Sequence, residues 1–92
     1  MVKIQSINKK CNKVTSTNGD NIYIQPKKPA KSFYEEVYSN AQKSGDKWVV
    51  DTIDKGKGHY LGFNKKKMEP GYYSKDVAIK KSINWMKKRG KC

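Results

Sequence analysis

Residues 47–90 constrain the fold more than any other stretch, because they read as strand, turn, strand, short strand and then a basic helix. Lys47-Trp48-Val49-Val50-Asp51-Thr52-Ile53 is β-branched and aromatic. Lys55-Gly56-Lys57-Gly58 interrupts that character and Tyr60-Leu61-Gly62-Phe63 resumes it, which predicts a hairpin. Glu69-Pro70-Gly71 signals a further turn, after which Tyr72-Tyr73 is expected to supply a third short strand. Ser74 stands where an N-cap belongs and Asp76 falls in the first turn, so a helix is predicted over about 75–89, ended by Gly90. On that helix Ala78, Ile79, Ser82, Ile83, Trp85 and Met86 share one stripe, while Lys80, Lys81, Asn84, Lys87 and Lys88 lie opposite. One face is expected to pack; the other is charged.

Upstream, Val2 to Ile7 alternates as a strand does, with Asn8-Lys9-Lys10 as its exit. Lys13–Thr17 and Asn21–Gln25 flank Asn18-Gly19-Asp20, a hairpin signal. A three-residue loop is expected there, setting Val14 opposite Ile24 and Ser16 opposite Ile22; a two-residue turn would instead oppose Ile24 to Lys13. Pro26 ends the strand, and residues 27–31 form a basic linker of polyproline character. Ser32 and Glu35 fit a capping box, and Tyr34, Val37, Tyr38 and Ala41 follow at helical spacing, so a first helix is predicted over about 32–44, closed by Ser44-Gly45. The expected fold class is α+β: a small antiparallel sheet, built from an N-terminal hairpin and a three-stranded β unit, packed against two helices. All 92 residues are assigned to one domain, with 1–31 as strands and linker, 32–45 as the first helix, and 47–90 as hairpin plus basic helix.

Charge points to the partner. Lysine and arginine number 21 against 8 acids, a formal +13, and such an excess repels itself unless a polyanion relieves it. The charge is uneven: residues 1–31 carry 7 bases and 1 acid, residues 32–46 carry 1 and 3, and residues 47–92 carry 13 and 4. Arg89 is the sole arginine. Lysine acts chiefly as a point charge on phosphate, whereas arginine reads guanine through paired donors, so backbone binding with little base discrimination is expected. The residues expected to touch nucleic acid are Lys47, Lys57, Lys65, Lys66, Lys67, Lys75, Lys80, Lys81, Lys87, Lys88 and Arg89, with Tyr60 and Tyr72 as rings on which unpaired bases stack.

Other chemistries lack their residues. His59 is the one histidine; next to Gly58 it could serve as a base, but with no second histidine or paired cysteine it makes no metal site, and an exposed strand-edge residue is expected. Asp51 and Asp54 stand beside Lys55, but no E-x-K follows to complete a metal-dependent nuclease site. Phosphate-loop, nucleophile-elbow and dinucleotide fingerprints are missing, and no enzymatic activity, cofactor or metal is expected. Cys11 and Cys92 are expected as separate thiols, with one bridge between them as the alternative. No apolar run approaches the roughly 18 residues of a membrane span, and the N-terminus lacks a signal-peptide core. No membrane partner is therefore expected, and a cytoplasmic or nuclear setting rather than secretion is.

From Trp48 onward the pattern resembles the AP2-like DNA-binding modules of plant transcription factors and phage-type integrase N-terminal domains. Trp48, Tyr60-Leu61-Gly62, and Tyr73-Ser74-Lys75-Asp76-Val77-Ala78 carry the likeness, which covers about half the chain. It implies a three-stranded sheet backed by one helix, with the sheet entering the major groove and Lys47, Lys57 and Lys65 on phosphates. The arginine-rich strands of the plant family are absent here, and residues 64–70 lengthen the approach to the third strand. A second likeness, through the expected helix 32–44, the strands and Lys80-Lys81, is to the α-β-β-β-α order of double-stranded-RNA-binding domains, which implies helix lysines on duplex phosphates. The function expected from sequence is nucleic-acid binding, duplex DNA ahead of duplex RNA. The alternative is a protein-binding module, such as a phage or mobile-element factor, that docks on an acidic host protein.

Overall fold

A computed structural model describes the backbone of residues 2–64 and 69–92 and the side chains of residues 2–62 and 71–92. Six strands, β1 (Lys3–Ser6), β2 (Cys11–Thr15), β3 (Asn21–Pro26), β4 (Val37–Ser44), β5 (Lys47–Asp54) and β6 (Lys57–Leu61), join in chain order into one antiparallel sheet. Among the described residues one α-helix, α1 (Lys75–Lys88), packs across β3, β4 and β5. A separate two-stranded pair joins β7 (Phe63–Asn64) to β8 (Glu69–Pro70). The α+β class holds; the expectation of two helices does not.

The segment expected as the first helix is β4, preceded by a single 3-10 turn at Phe33–Glu35. Ser32 forms no side-chain cap there. Val37, Tyr38, Ser39 and Asn40 are poor helix formers, and the same residues also alternate, with Val37, Ser39 and Ala41 on one side and Tyr38, Asn40 and Gln42 on the other. Pairing settles the ambiguity. β4 bonds β3 on one edge and β5 on the other, so the two halves of the chain share one sheet instead of forming separate β units.

Three further expectations are corrected. The first hairpin pairs Lys13 with Ile24, Val14 with Tyr23 and Thr15 with Ile22. That is the register of a two-residue turn, although four residues, 17–20, lie beyond the Ser16–Asn21 backbone bond. Ile22 and Ile24 still share the helix side, and the Asn18 side chain organises the loop by accepting bonds from the Ser16 hydroxyl and the Asp20 amide. Tyr72-Tyr73 is not a third strand of the sheet. Only Tyr73 bridges, exchanging backbone bonds of 2.9 and 3.2 Å with Trp48 where β6 no longer covers the edge of β5. Cys11 and Cys92 are not separate thiols but a disulfide, with Cα atoms 5.0 Å apart, which ties the segment after α1 to β2.

The core lies between the sheet and α1. Cys11, Ile22, Ile24, Val37, Ala41, Trp48 and Val50 from the sheet meet Ala78 and Met86 from the helix, with Ile79, Ile83 and Trp85 partly buried against them. Buried Ser39 donates its hydroxyl to the Ser82 carbonyl at 3.3 Å, a polar tie between β4 and α1. The helix ends follow the sequence. Ser74 accepts from the Val77 amide, and Gly90 at φ +71° carries the Lys91-to-Met86 and Gly90-to-Lys87 bonds of a left-handed C-terminal stop.

Candidate nucleic-acid interface

The lysines of α1 stand on its outer face. Burying Ala78, Ser82 and Met86 at i, i+4 and i+8 turns Lys80, Lys81, Lys87 and Lys88 to solvent, all of them exposed. With a rise of 1.5 Å per residue these four spread over about 12 Å of helix axis. Among the described residues no carboxylate lies within ion-pair distance of these lysines, because the ion pair found there is Arg89 with Asp54.

That pair gives Arg89 another task. Its Nε donates to Asp54 Oδ2 at 3.0 Å, its Nη1 donates to the Trp85 carbonyl at 3.4 Å, and its guanidinium lies 3.8 Å from the centroid of the Trp85 ring. The arginine expected on phosphate therefore clasps the end of α1 to the β5–β6 turn. Lys75 is likewise drawn inward, its Nζ 5.9 Å from the centroid of Trp48. Lys65, Lys66 and Lys67 lie outside the described residues.

Lys47 and Lys57 fall on opposite sides of the sheet. The register places Lys57 opposite Asp54 on the helix side. Lys47, opposite Ser44, is on the side turned away from α1 with Ile4, Asn12, Val14, Tyr23, Gln25, Tyr38, Asn40 and Tyr60. On that far side the strands contribute two charged side chains among the described residues, Lys47 and Asp51. Tyr23 and Tyr38 sit there with ring centroids 6.4 Å apart. Burial raises the Tyr38 hydroxyl above the usual phenol range, and the carboxylates of Glu36 and Asp51 add to the shift. A protein of net charge +13 thus keeps one face of its sheet nearly neutral.

Tyr60 and Tyr72 come together, as their shared role in the sequence reading requires. They line one open hollow of about 480 Å³ along the outer edge of β6, with Gly58, His59, Leu61, Gly62 and Tyr73. Tyr60 is 58% exposed and Tyr72 57%. The Tyr72 and Tyr73 rings are 5.0 Å apart at 59°. Burial raises the Tyr73 hydroxyl above its ordinary range, with the neighbouring Tyr72 adding to the shift. Gly62, at φ +83°, is what lets Tyr73 lie so close: a Cβ there would stand 2.6 Å from its ring. His59 and Gly62 were not foreseen as part of this site, since the packing of Tyr73 over Gly62 is a long-range contact with no local signature.

No group of three or more histidine, cysteine, aspartate or glutamate side chains placed to hold a metal ion occurs among the described residues. None of their helices is long and apolar enough to cross a membrane. No protein-family model, curated protein or solved structure matches this chain.

Proposed function

We propose that this protein binds nucleic acid, duplex DNA foremost, by laying the outer face of α1 against the phosphate backbone. The observation that carries the reading is the solvent-facing group Lys80, Lys81, Lys87 and Lys88, uncompensated by acids among the described residues. A row about 12 Å long covers three to four phosphates of one strand when measured along the duplex axis, where they rise about 3.4 Å each. With the one arginine engaged by Asp54 and Trp85, the ridge presents ammonium groups alone, which favours charge recognition over base readout. The sheet-led pose implied by the AP2-like resemblance draws less support, since the far face offers Lys47 and little other positive charge. Duplex RNA stays the second choice, because phosphate contacts alone discriminate poorly between the two duplexes.

Salt dependence tests it. Four lysines on phosphate give a slope of log K against log salt of about −3.6, at about −0.9 per contact. Changing Lys80, Lys81, Lys87 and Lys88 together to Gln should remove most of that slope while the thermal melt barely moves, since exposed substitutions usually stay within about 0.5 kcal/mol each. A salt-independent affinity, or a variant that binds as tightly as the parent, would overturn the proposal.

A further inference from the structure

The two ends of the sheet differ in charge, and the reading drawn from that difference rests on the nucleic-acid proposal and deepens it. β2 begins, β3 ends, β4 begins, β5 ends and β6 begins at one end, where Cys11 pairs with Pro26, Val37 with Asp54 and Asp54 with Lys57. α1 arrives at that same end. There Arg89 meets Asp54 and Cys92 is bonded to Cys11, so the segment after the helix crosses from β5 to β2. The Lys27 amide donates to the Lys10 carbonyl and the Lys55 amide to the Glu36 carbonyl, which draws the connecting loops onto this pole. Residues 8–10, 27–36, 54–57 and 87–92 thereby gather eleven of the 21 cations against three acids. At the opposite end, residues 2–3, 16–20, 43–47 and 73–76 carry four cations and three acids.

Two rings stand out from the basic pole. Phe33 is 65% exposed and Tyr34 77%, more than any other exposed large apolar or aromatic side chain among the described residues. The 3-10 turn holds them in place, since the Glu35 and Glu36 amides donate to the Ser32 and Phe33 carbonyls at 3.1 and 3.2 Å. Their centroids lie 6.0 Å apart with the planes at 80°, an edge-to-face arrangement that leaves ring faces open. Open aromatic faces among lysines are what a single strand needs, because bases stack on the rings while the cations follow the phosphates. A bilayer suits the pole less well: exposed Glu35 directly follows Tyr34, and sinking the rings among acyl chains would drag its carboxylate out of water.

We propose that this pole takes the single-stranded end of a nucleic acid, with one unpaired base stacked on Phe33 or Tyr34 and the adjoining phosphates on exposed Lys28, Lys31 and Lys55. The lysines of α1, which ends at the same pole, hold the duplex that leads up to it.

The test compares three DNA ligands: a blunt duplex, the same duplex with a short thymine overhang, and that overhang with its bases removed. The last two carry the same phosphates, so the difference between them reports stacking alone. One stacked base predicts a preference of roughly 5- to 150-fold for the intact overhang over the abasic one. The abasic overhang should still exceed the blunt duplex and steepen the salt slope by about 0.7 for each phosphate held. Phe33→Ala combined with Tyr34→Ala should erase the difference between the two overhangs and leave blunt-duplex affinity unchanged. Equal affinity of the unaltered protein for both overhangs would overturn the inference even if duplex binding persists, and so would a preference that survives loss of both rings. If the blunt duplex fails to bind while the overhang preference stands, the α1 interface fails and the pole is upheld. Binding to phosphatidylserine vesicles that the double variant loses, with no discrimination between the overhangs, would assign the rings to a lipid surface and overturn the inference.

Discussion

Asp51 shows how position in a sheet alters one side chain. It lies between Asn40 on β4 and Tyr60 on β6, on the side turned away from α1. Burial raises its carboxyl above the usual range, a shift only partly opposed by the Thr52 backbone hydrogen bond. A raised folded-state value means that folding favours the protonated acid. The stability contributed is complete below the unfolded carboxyl pKa and is lost as pH rises through the raised one. Asp51→Asn, which removes the charge, is therefore expected to raise Tm at neutral pH and to lose most of that advantage in acid. Melting curves of both proteins at the two pH values decide it; an equal difference at each would refute the assignment.

Elements were legible in the sequence wherever a local signal had no competitor. Ser74, Asp76 and Gly90 bracket α1 as expected, and the β5–β6 hairpin turns at Lys55-Gly56 as its composition suggests. The failure was residues 32–44, where capping-box spacing and a helical stripe coincided with an equally good alternation. The deciding fact was that two flanking strands need β4 between them, and that is invisible locally. Two serines that look alike in sequence therefore differ in consequence. Ser74→Ala removes a bond to the Val77 amide and should cost about 1 kcal/mol, whereas Ser32→Ala removes no cap and should cost less than about 0.5 kcal/mol. Urea unfolding of the pair separates them. The same reasoning explains the site: the α1 lysines follow from periodicity, but the meeting of Tyr60 with Tyr72 depends on the chain returning to β5 at Tyr73.

At the scale of the whole molecule, charge is partitioned between a lysine-bearing helix side and a nearly neutral far face, and a single covalent link spans 81 residues. Two cysteines so distant give no local hint of pairing; the fold brings them together by packing the segment after α1 beside β2. Closing so long a loop restricts the unfolded chain, and reduction should cost about 2–5 kcal/mol. Denaturant curves with and without reductant measure that difference directly. Such bridges persist in oxidising compartments and are rare in the cytosol, so the cytoplasmic or nuclear setting expected from the sequence belongs with the reduced, less stable form.

The Cys11–Cys92 link also means that nearly the entire polypeptide lies inside one covalent ring. A protease that cuts once at the exposed Lys55-Gly56 turn would leave both fragments attached, migrating as one species on a gel until a thiol is added. Damage to the backbone is thereby separated from loss of the molecule: a nicked copy keeps its pieces at high effective concentration and in a position to reassemble.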